Sequence, residues 1–117
     1  MRPVVFVFGS NLAGIHGAGA AREAFDLWGA KWGVGVGLQG RSYAIPTKDR
    51  DIRTMPLAEI RPHVQEFVRY AAVHSGVSFL VTAIGCGLAG YDPADIAPMF
   101  AGASENVFLS AKLMKGI

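Results

Sequence analysis

The stretch Val77-Ser78-Phe79-Leu80-Val81-Thr82-Ala83-Ile84, followed by Gly85-Cys86-Gly87-Leu88-Ala89-Gly90-Tyr91 and then by Asp92-Pro93-Ala94-Asp95-Ile96-Ala97-Pro98-Met99-Phe100, decides the reading of this chain. Its first part is a short apolar run rich in β-branched residues, the pattern of a strand covered on both faces. Its last part opens like a helix, with Asp92 as the cap, Pro93 at the first helical position and Asp95 near the positive end of the dipole. Between them lies a turn containing Gly85, Gly87 and Gly90. Glycine lets backbone amides approach a ligand closely, and a helix start facing such a turn favours anions. Strand, glycine turn and capped helix together predict a place to hold phosphate, although a turn of this kind also needs glycine for geometry alone.

The same unit occurs earlier. Val4 to Phe8 reads as a buried strand, residues 9–19 (Gly9-Ser10-Asn11-Leu12-Ala13-Gly14-Ile15-His16-Gly17-Ala18-Gly19) as a glycine-rich loop, and Ala20 to Trp28 as a helix with Ala21, Ala24, Phe25 and Trp28 at core spacing. The loop is neither a dinucleotide fingerprint, lacking the last glycine, nor a Walker loop, lacking Gly-Lys-Ser/Thr. Asn11 either tolerates left-handed backbone or binds a ribose hydroxyl. His16 reads as a loop histidine rather than a catalyst, and Trp28 and Trp32 as core or rim rather than a base-stacking platform.

Gly33 to Gly40 is open between a weak strand and a loop that another backbone or a ligand approaches closely. Arg41 to Ile45 predicts a strand that Pro46 ends, leaving Thr47, Lys48 and Asp49 at its C-terminal end. Pro62 is expected to open the longest helix, which runs to about His74 with Val64, Phe67, Val68 and Ala71 as its apolar stripe and Gly76 as its stop. Asn106 to Leu109 reads as a last strand and Ser110 to Ile117 as a short tail. No grouping of His, Cys, Asp and Glu has metal-ligand spacing, and no cofactor is expected. Alternating strands and helices predict an α/β fold with a mostly parallel central sheet. Ligands bind beyond the C-terminal strand ends of such sheets, where residues 9–19, 46–49 and 85–91 converge.

Length and composition agree with a single domain over residues 1–117. At 117 residues, with 51% hydrophobic and 17% charged residues, the chain is large enough for a substantial core and is neither disordered nor fibrous. No apolar run spans a bilayer, so no membrane partner is expected, and the opening residues lack the length and cleavage site of a signal peptide. The lone Cys86 excludes an internal disulfide framework and fits a reducing, cytoplasmic setting. A formal charge of +2 without a basic stripe does not favour nucleic acid as a partner but accommodates a small anion.

The loops carry a family resemblance. Gly9-Ser10-Asn11-Leu12 with Gly14-Ile15-His16-Gly17-Ala18-Gly19-Ala20-Ala21 resembles the first ligand loop of macro domains, which bind ADP-ribose and related nucleotides, and Ile84-Gly85-Cys86-Gly87-Leu88 resembles their second phosphate loop. Its wording, with Ser42-Tyr43-Ala44-Ile45-Pro46-Thr47-Lys48, is most similar to the branch containing terminal ADP-ribose protein glycohydrolase, in which a lysine after the equivalent strand acts in catalysis. The resemblance covers roughly residues 4–110 and implies a compact three-layer α/β/α fold. Two departures stand out. The chain begins too late to supply the acid that contacts adenine in the family, and Ala89 occupies the place of the branch's aspartate after Gly-Cys-Gly-Leu.

Three readings follow. In the first, a diphosphate of ADP-ribose or a relative, free or protein-linked, is held by the amides of Gly17, Ala18, Gly19 and Ala20 and of Gly85, Cys86, Gly87, Leu88, Ala89 and Gly90. Ser10, Asn11, Leu12 and Thr47 border the site, Asn11 meets the distal ribose and Tyr91 packs against it. In the second, an ADP-ribosyl glycohydrolase attacks the anomeric carbon with Lys48, a partly neutral lysine, with Asp49 or Asp92 as the only nearby acids. In the third, the fold is a protein-interaction domain with a degenerate pocket, against which the intact glycines speak. Cys86 reads as a small residue in a tight turn rather than a nucleophile.

Overall fold

Alternating burial along one strand sets the architecture. In β1 (Val4–Asn11) Val5 and Val7 belong to one apolar cluster, Phe6 and Phe8 to another, and all four are buried. Successive side chains of a strand point to opposite faces, so β1 is covered on both sides. The computed structural model describes residues 2–117; Met1, the first residue of the expected domain and of the opening segment weighed as a leader, lies outside them. After β1 come α1 (Gly19–Leu27), β2 (Gly37–Gln39), β3 (Ser42–Lys48), α2 (Leu57–Val73), β4 (Ser78–Val81), α3 (Pro93–Ile96), a 3₁₀ turn (Ala97–Phe100), β5 (Val107–Leu109) and α4 (Ala111–Met114).

The strands form one sheet in the order β2-β3-β1-β4-β5. β1 pairs in parallel with β3 and β4, and β4 with β5, while β2 runs antiparallel to β3. The chain is therefore α/β with a mostly parallel sheet, as its alternating pattern predicts. Ala21 and Ala24 of α1 pack on Phe6, Phe8 and Ala44. On the other face Ile60, Val64, Phe67 and Ala71 of α2 meet Val5, Val7, Tyr43 and Ile45. Phe67 is the hub of that core, its ring 5.1 Å from Tyr43, 5.4 Å from Phe79 and 6.0 Å from Phe100 in edge-on geometry. Among the described residues no helix is long and apolar enough to cross a membrane.

Several expected boundaries move. α2 begins at Leu57, with Pro62 inside it rather than at its start. Fully buried Ile60 extends the apolar stripe by a turn; burying such a side chain contributes about 1.5–3 kcal/mol, comparable to the ~3 kcal/mol an interior proline costs. Its C-terminus falls where expected, at Val73 with His74 as the cap residue, and the buried Asn106 amide donates to the carbonyls of Ala71, His74 and Val77. Pro46 does not end β3: β2 pairs only with Ser42 to Ala44, so the missing N–H lies where no neighbouring strand needs it. The run from Gly33 divides into a tight loop and edge strand β2. Phe25 lies 39% exposed, against Trp32, instead of in the core. The expected tail contains α4, capped by the Ser110 hydroxyl and anchored by fully buried Leu113.

Burial, with smaller contributions from Glu66 and Tyr70, pushes the Tyr43 hydroxyl up to about 12 from its ordinary 10.0. The fold favours the neutral phenol, so this contribution is fully present below pH 10.0 and is lost as the pH climbs towards 12. Tyr43→Phe is expected to flatten the alkaline decline in stability, measured as melting temperature from about pH 9 to pH 11; an unchanged decline removes Tyr43 as its source.

Candidate functional site

Parallel pairing brings the C-terminal ends of β1, β3 and β4 to one edge of the sheet, and a cavity of about 510 Å³ opens beyond them. The volume lies within the usual range for small-molecule sites. The three loops are in direct contact beneath it. A side-chain carbon placed on Gly9 would lie 3.4 Å from the Ile84 Cα, and one on Gly85 would lie 3.6 Å from the Thr47 methyl. The Leu12 N–H donates to the Lys48 carbonyl at 2.9 Å, and the Thr54 hydroxyl to the Ala89 carbonyl at 3.1 Å.

Most of the residues singled out in the sequence line this cavity. Ser10 and Asn11 come from the end of β1, Gly17 and Ala18 from the loop after it, Gly19 and Ala20 from the start of α1, Thr47 and Lys48 from the end of β3, and Gly85, Gly87, Leu88 and Ala89 from the loop after β4. Four do not. Leu12 packs against the core of the α2 face, and Cys86 is itself a member of that core. Gly90 closes its turn through a 3.0 Å bond to Gly87 and adopts a φ of 86°. Tyr91 donates its hydroxyl to the Met55 carbonyl at 2.7 Å, which turns the ring into the fold rather than towards a ribose. Asn11 does not take left-handed backbone: it lies in β1, and its side-chain amide both donates to and accepts from the main chain of Ile15, at 2.8 and 3.0 Å. His16 is fully buried behind the loop, its Nε2 donating to the Lys31 and Val34 carbonyls.

Other wall residues escaped the sequence reading. Ile15 and Ile52 bring exposed aliphatic side chains to the cavity, and Lys112 arrives from α4, its ammonium donating to the Cys86 carbonyl at 3.0 Å. Only the loop position of Ile15 hinted at such a role; nothing local distinguishes Lys112 from a tail lysine.

The chemistry of the walls is divided. Uncharged polar side chains serve the frame: Ser10 donates to the Gly35 carbonyl, Thr82 to Val7 at 2.8 Å, and Thr47 weakly to Ser10 at 3.5 Å. The amides of Gly17, Ala18, Gly19, Ala20, Gly85, Gly87, Leu88 and Ala89 have no acceptor among the described residues. Lys48 and Lys112 are the charged side chains on the described wall, and no carboxylate lies there. Asp49 accepts from Asp51 and Arg53 at 2.8 and 3.0 Å, holding the loop after β3, while the Asp92 N–H donates to Asp95 beside α3. Burial raises the Cys86 thiol above its ordinary range, with Lys112 opposing and Asp92 and Asp95 reinforcing the shift, which makes Cys86 a poor nucleophile. The described residues contain no cluster able to hold a metal ion. The site as built suits an anion held by main-chain amides and two ammonium groups.

In comparisons with family models, curated proteins and solved structures, none matches this chain.

Ile52 holds a left-handed φ of 62° on the cavity wall, a conformation that costs a β-branched side chain about 1–2 kcal/mol. Ile52→Asn is expected to raise unfolding stability by up to ~1 kcal/mol, because asparagine tolerates this backbone and the isoleucine is already 40% exposed. Urea unfolding of the two proteins checks this, and a less stable variant refutes it.

Proposed function

We propose that this protein binds ADP-ribose or a closely related nucleoside diphosphate, free or protein-linked, on a three-layer α/β/α macro-domain-like fold. What carries the reading is Gly17 and Gly87. Neither has a left-handed φ, and a side-chain carbon on either would meet nothing within 4 Å. Neither backbone geometry nor crowding within the chain calls for glycine there; a diphosphate drawn close to the adjoining free amides does. By contrast, a side-chain carbon on Gly14 would lie 2.3 Å from the chain at Gly33, so that glycine is demanded by the fold itself.

Calorimetric titration with ADP-ribose tests the proposal directly, and a heat-silent titration supported by an unshifted melting temperature removes it. Gly17→Ala and Gly87→Ala are each expected to leave stability unchanged or raise it by about 0.4–1 kcal/mol through the unfolded chain. Both are expected to weaken ADP-ribose binding at least tenfold, about 1.4 kcal/mol. Variants that bind as well as the parent refute the role given to these glycines.

A second reading is favoured by the place of Lys48 on the cavity wall: hydrolysis of protein-linked ADP-ribose, with Lys48 attacking the anomeric carbon. The lack of a carboxylate on the described wall weighs against it, since leaving-group departure from a poor leaving group needs an acid. An ester-linked substrate has the better leaving group. The expected outcome under this reading is release of ADP-ribose from an ester-modified protein and its loss in Lys48→Ala; no release at stoichiometric protein leaves the binding reading alone.

A further inference from the structure

Recognising a nucleobase through its edge requires acceptors for its amino and ring N–H groups and donors for its ring nitrogens and carbonyls. The cavity is poor in both outside its phosphate-facing amides. The described wall has no carboxylate and no aromatic ring on which a base could stack. The Ser10 and Asn11 side chains are buried and bonded to Gly35 and Ile15, and the Thr82 hydroxyl is turned towards Val7, to which it donates. The surrounding carbonyls each already accept one bond: Asn11 from Gly14, Lys48 from Leu12, Gly85 from Tyr91, Gly87 from Gly90 and Ala89 from Thr54. What remains at the mouth is aliphatic, with Ile15 44%, Ile52 40% and Leu88 82% exposed.

We propose that the site is indifferent to the base of its ligand: it takes ribonucleoside diphosphate riboses as a class. The inference rests on the nucleotide reading above and narrows it. The free amides and the Lys48 and Lys112 ammonium groups hold the diphosphate, whose two negative charges the two lysines match. Lys112 keeps donors to spare after its bond to Cys86, since an ammonium carries three. The base lies against Ile15, Ile52 and Leu88, which offer apolar contact to any ring face and hydrogen bonds to none. Apolar contacts discriminate only weakly between similar groups, whereas sites built on hydrogen bonds reject a mismatch strongly because their own polar groups are left unpaired.

The test is calorimetric titration of the intact protein with ADP-ribose, GDP-ribose, inosine diphosphate ribose and CDP-ribose. These share the diphosphate and distal ribose and differ in the base alone. The expected result is dissociation constants within about fivefold of one another, and a parallel loss for all four in Lys112→Met. A preference for ADP-ribose wider than fivefold overturns base indifference and leaves the nucleotide reading standing. Failure of all four to bind removes the nucleotide reading and the inference with it. In Lys112→Met the melting temperature is read alongside affinity, and Lys112→Arg, which keeps the charge, is expected to restore binding of all four. Selective loss of one base in either lysine variant also overturns the proposal.

Discussion

The carbonyl of Asn11 occupies the space where a side chain on residue 35 would begin: a carbon added to Gly35 would meet that oxygen at 2.0 Å. This close approach of two backbones fixes the loop after β1. With Gly35 in place, Ser10 donates to its carbonyl, Gly14 donates to Asn11, and Gly33 donates to Gly14 at 2.8 Å. His16 ties the far side of the loop to Lys31 and Val34, and Gln39 adds bonds to Lys31 and Val34. The segment between α1 and β2, which contributes nothing to the cavity wall, is thus the brace that lets β1 end where it does. Parallel pairing then places that end beside Lys48 and the turn after β4.

Bracing the loops from behind has a consequence for their chemistry. Side chains that in isolation would be candidate ligand contacts, Ser10, Asn11, Thr82 and Tyr91, are spent on main-chain partners. The main-chain amides of Gly17, Ala18, Gly19, Ala20, Gly85, Gly87, Leu88 and Ala89 on the same wall have no acceptor among the described residues. Ordered amides need no rearrangement to meet an anion, and fixing the loops beforehand reduces the entropy lost on binding. On the proposed reading, a wall of this kind recognises charge and shape well and hydrogen-bonding pattern poorly.

The parts of this arrangement legible in the sequence are the local ones. β1, the loop after it and α1 follow from a buried run, clustered glycines and helical spacing; β4 and its loop follow in the same way. Contacts between distant residues were not legible. The helix stop at Val73 is made by Asn106, some thirty residues on, while the nearby Gly76 only looked like one. Pro62 marked a helix start by local rule, but the burial of Ile60 carries the helix through it. Phe25 has core spacing, yet the sheet beneath α1 is filled by the small contacts of Ala21 and Ala24, and its ring remains outside against Trp32. Lys112 reaches the wall only because Leu113 buries itself and turns α4 towards Cys86. In each case the deciding partner lies too far along the chain for periodicity or capping rules to find.

Glycine shows the same limit from the other side. In the sequence Gly14 and Gly17 belong to one loop and look alike, as do Gly85 and Gly87. In the fold they separate: Gly14 takes a left-handed φ against the chain at Gly33, and Gly85 a left-handed φ close to Ile96, so the fold accounts for both. Gly17 and Gly87 stand with ordinary backbone in open space on the cavity wall. A glycine in that situation makes the unfolded chain more flexible and returns nothing to the folded one. Two of them, on separate loops facing one cavity, are therefore best accounted for by something outside the chain that needs the room of a missing methyl group. Free amides beside both, with Lys48 and Lys112 on the same wall, agree with the proposed reading in which that object is a diphosphate.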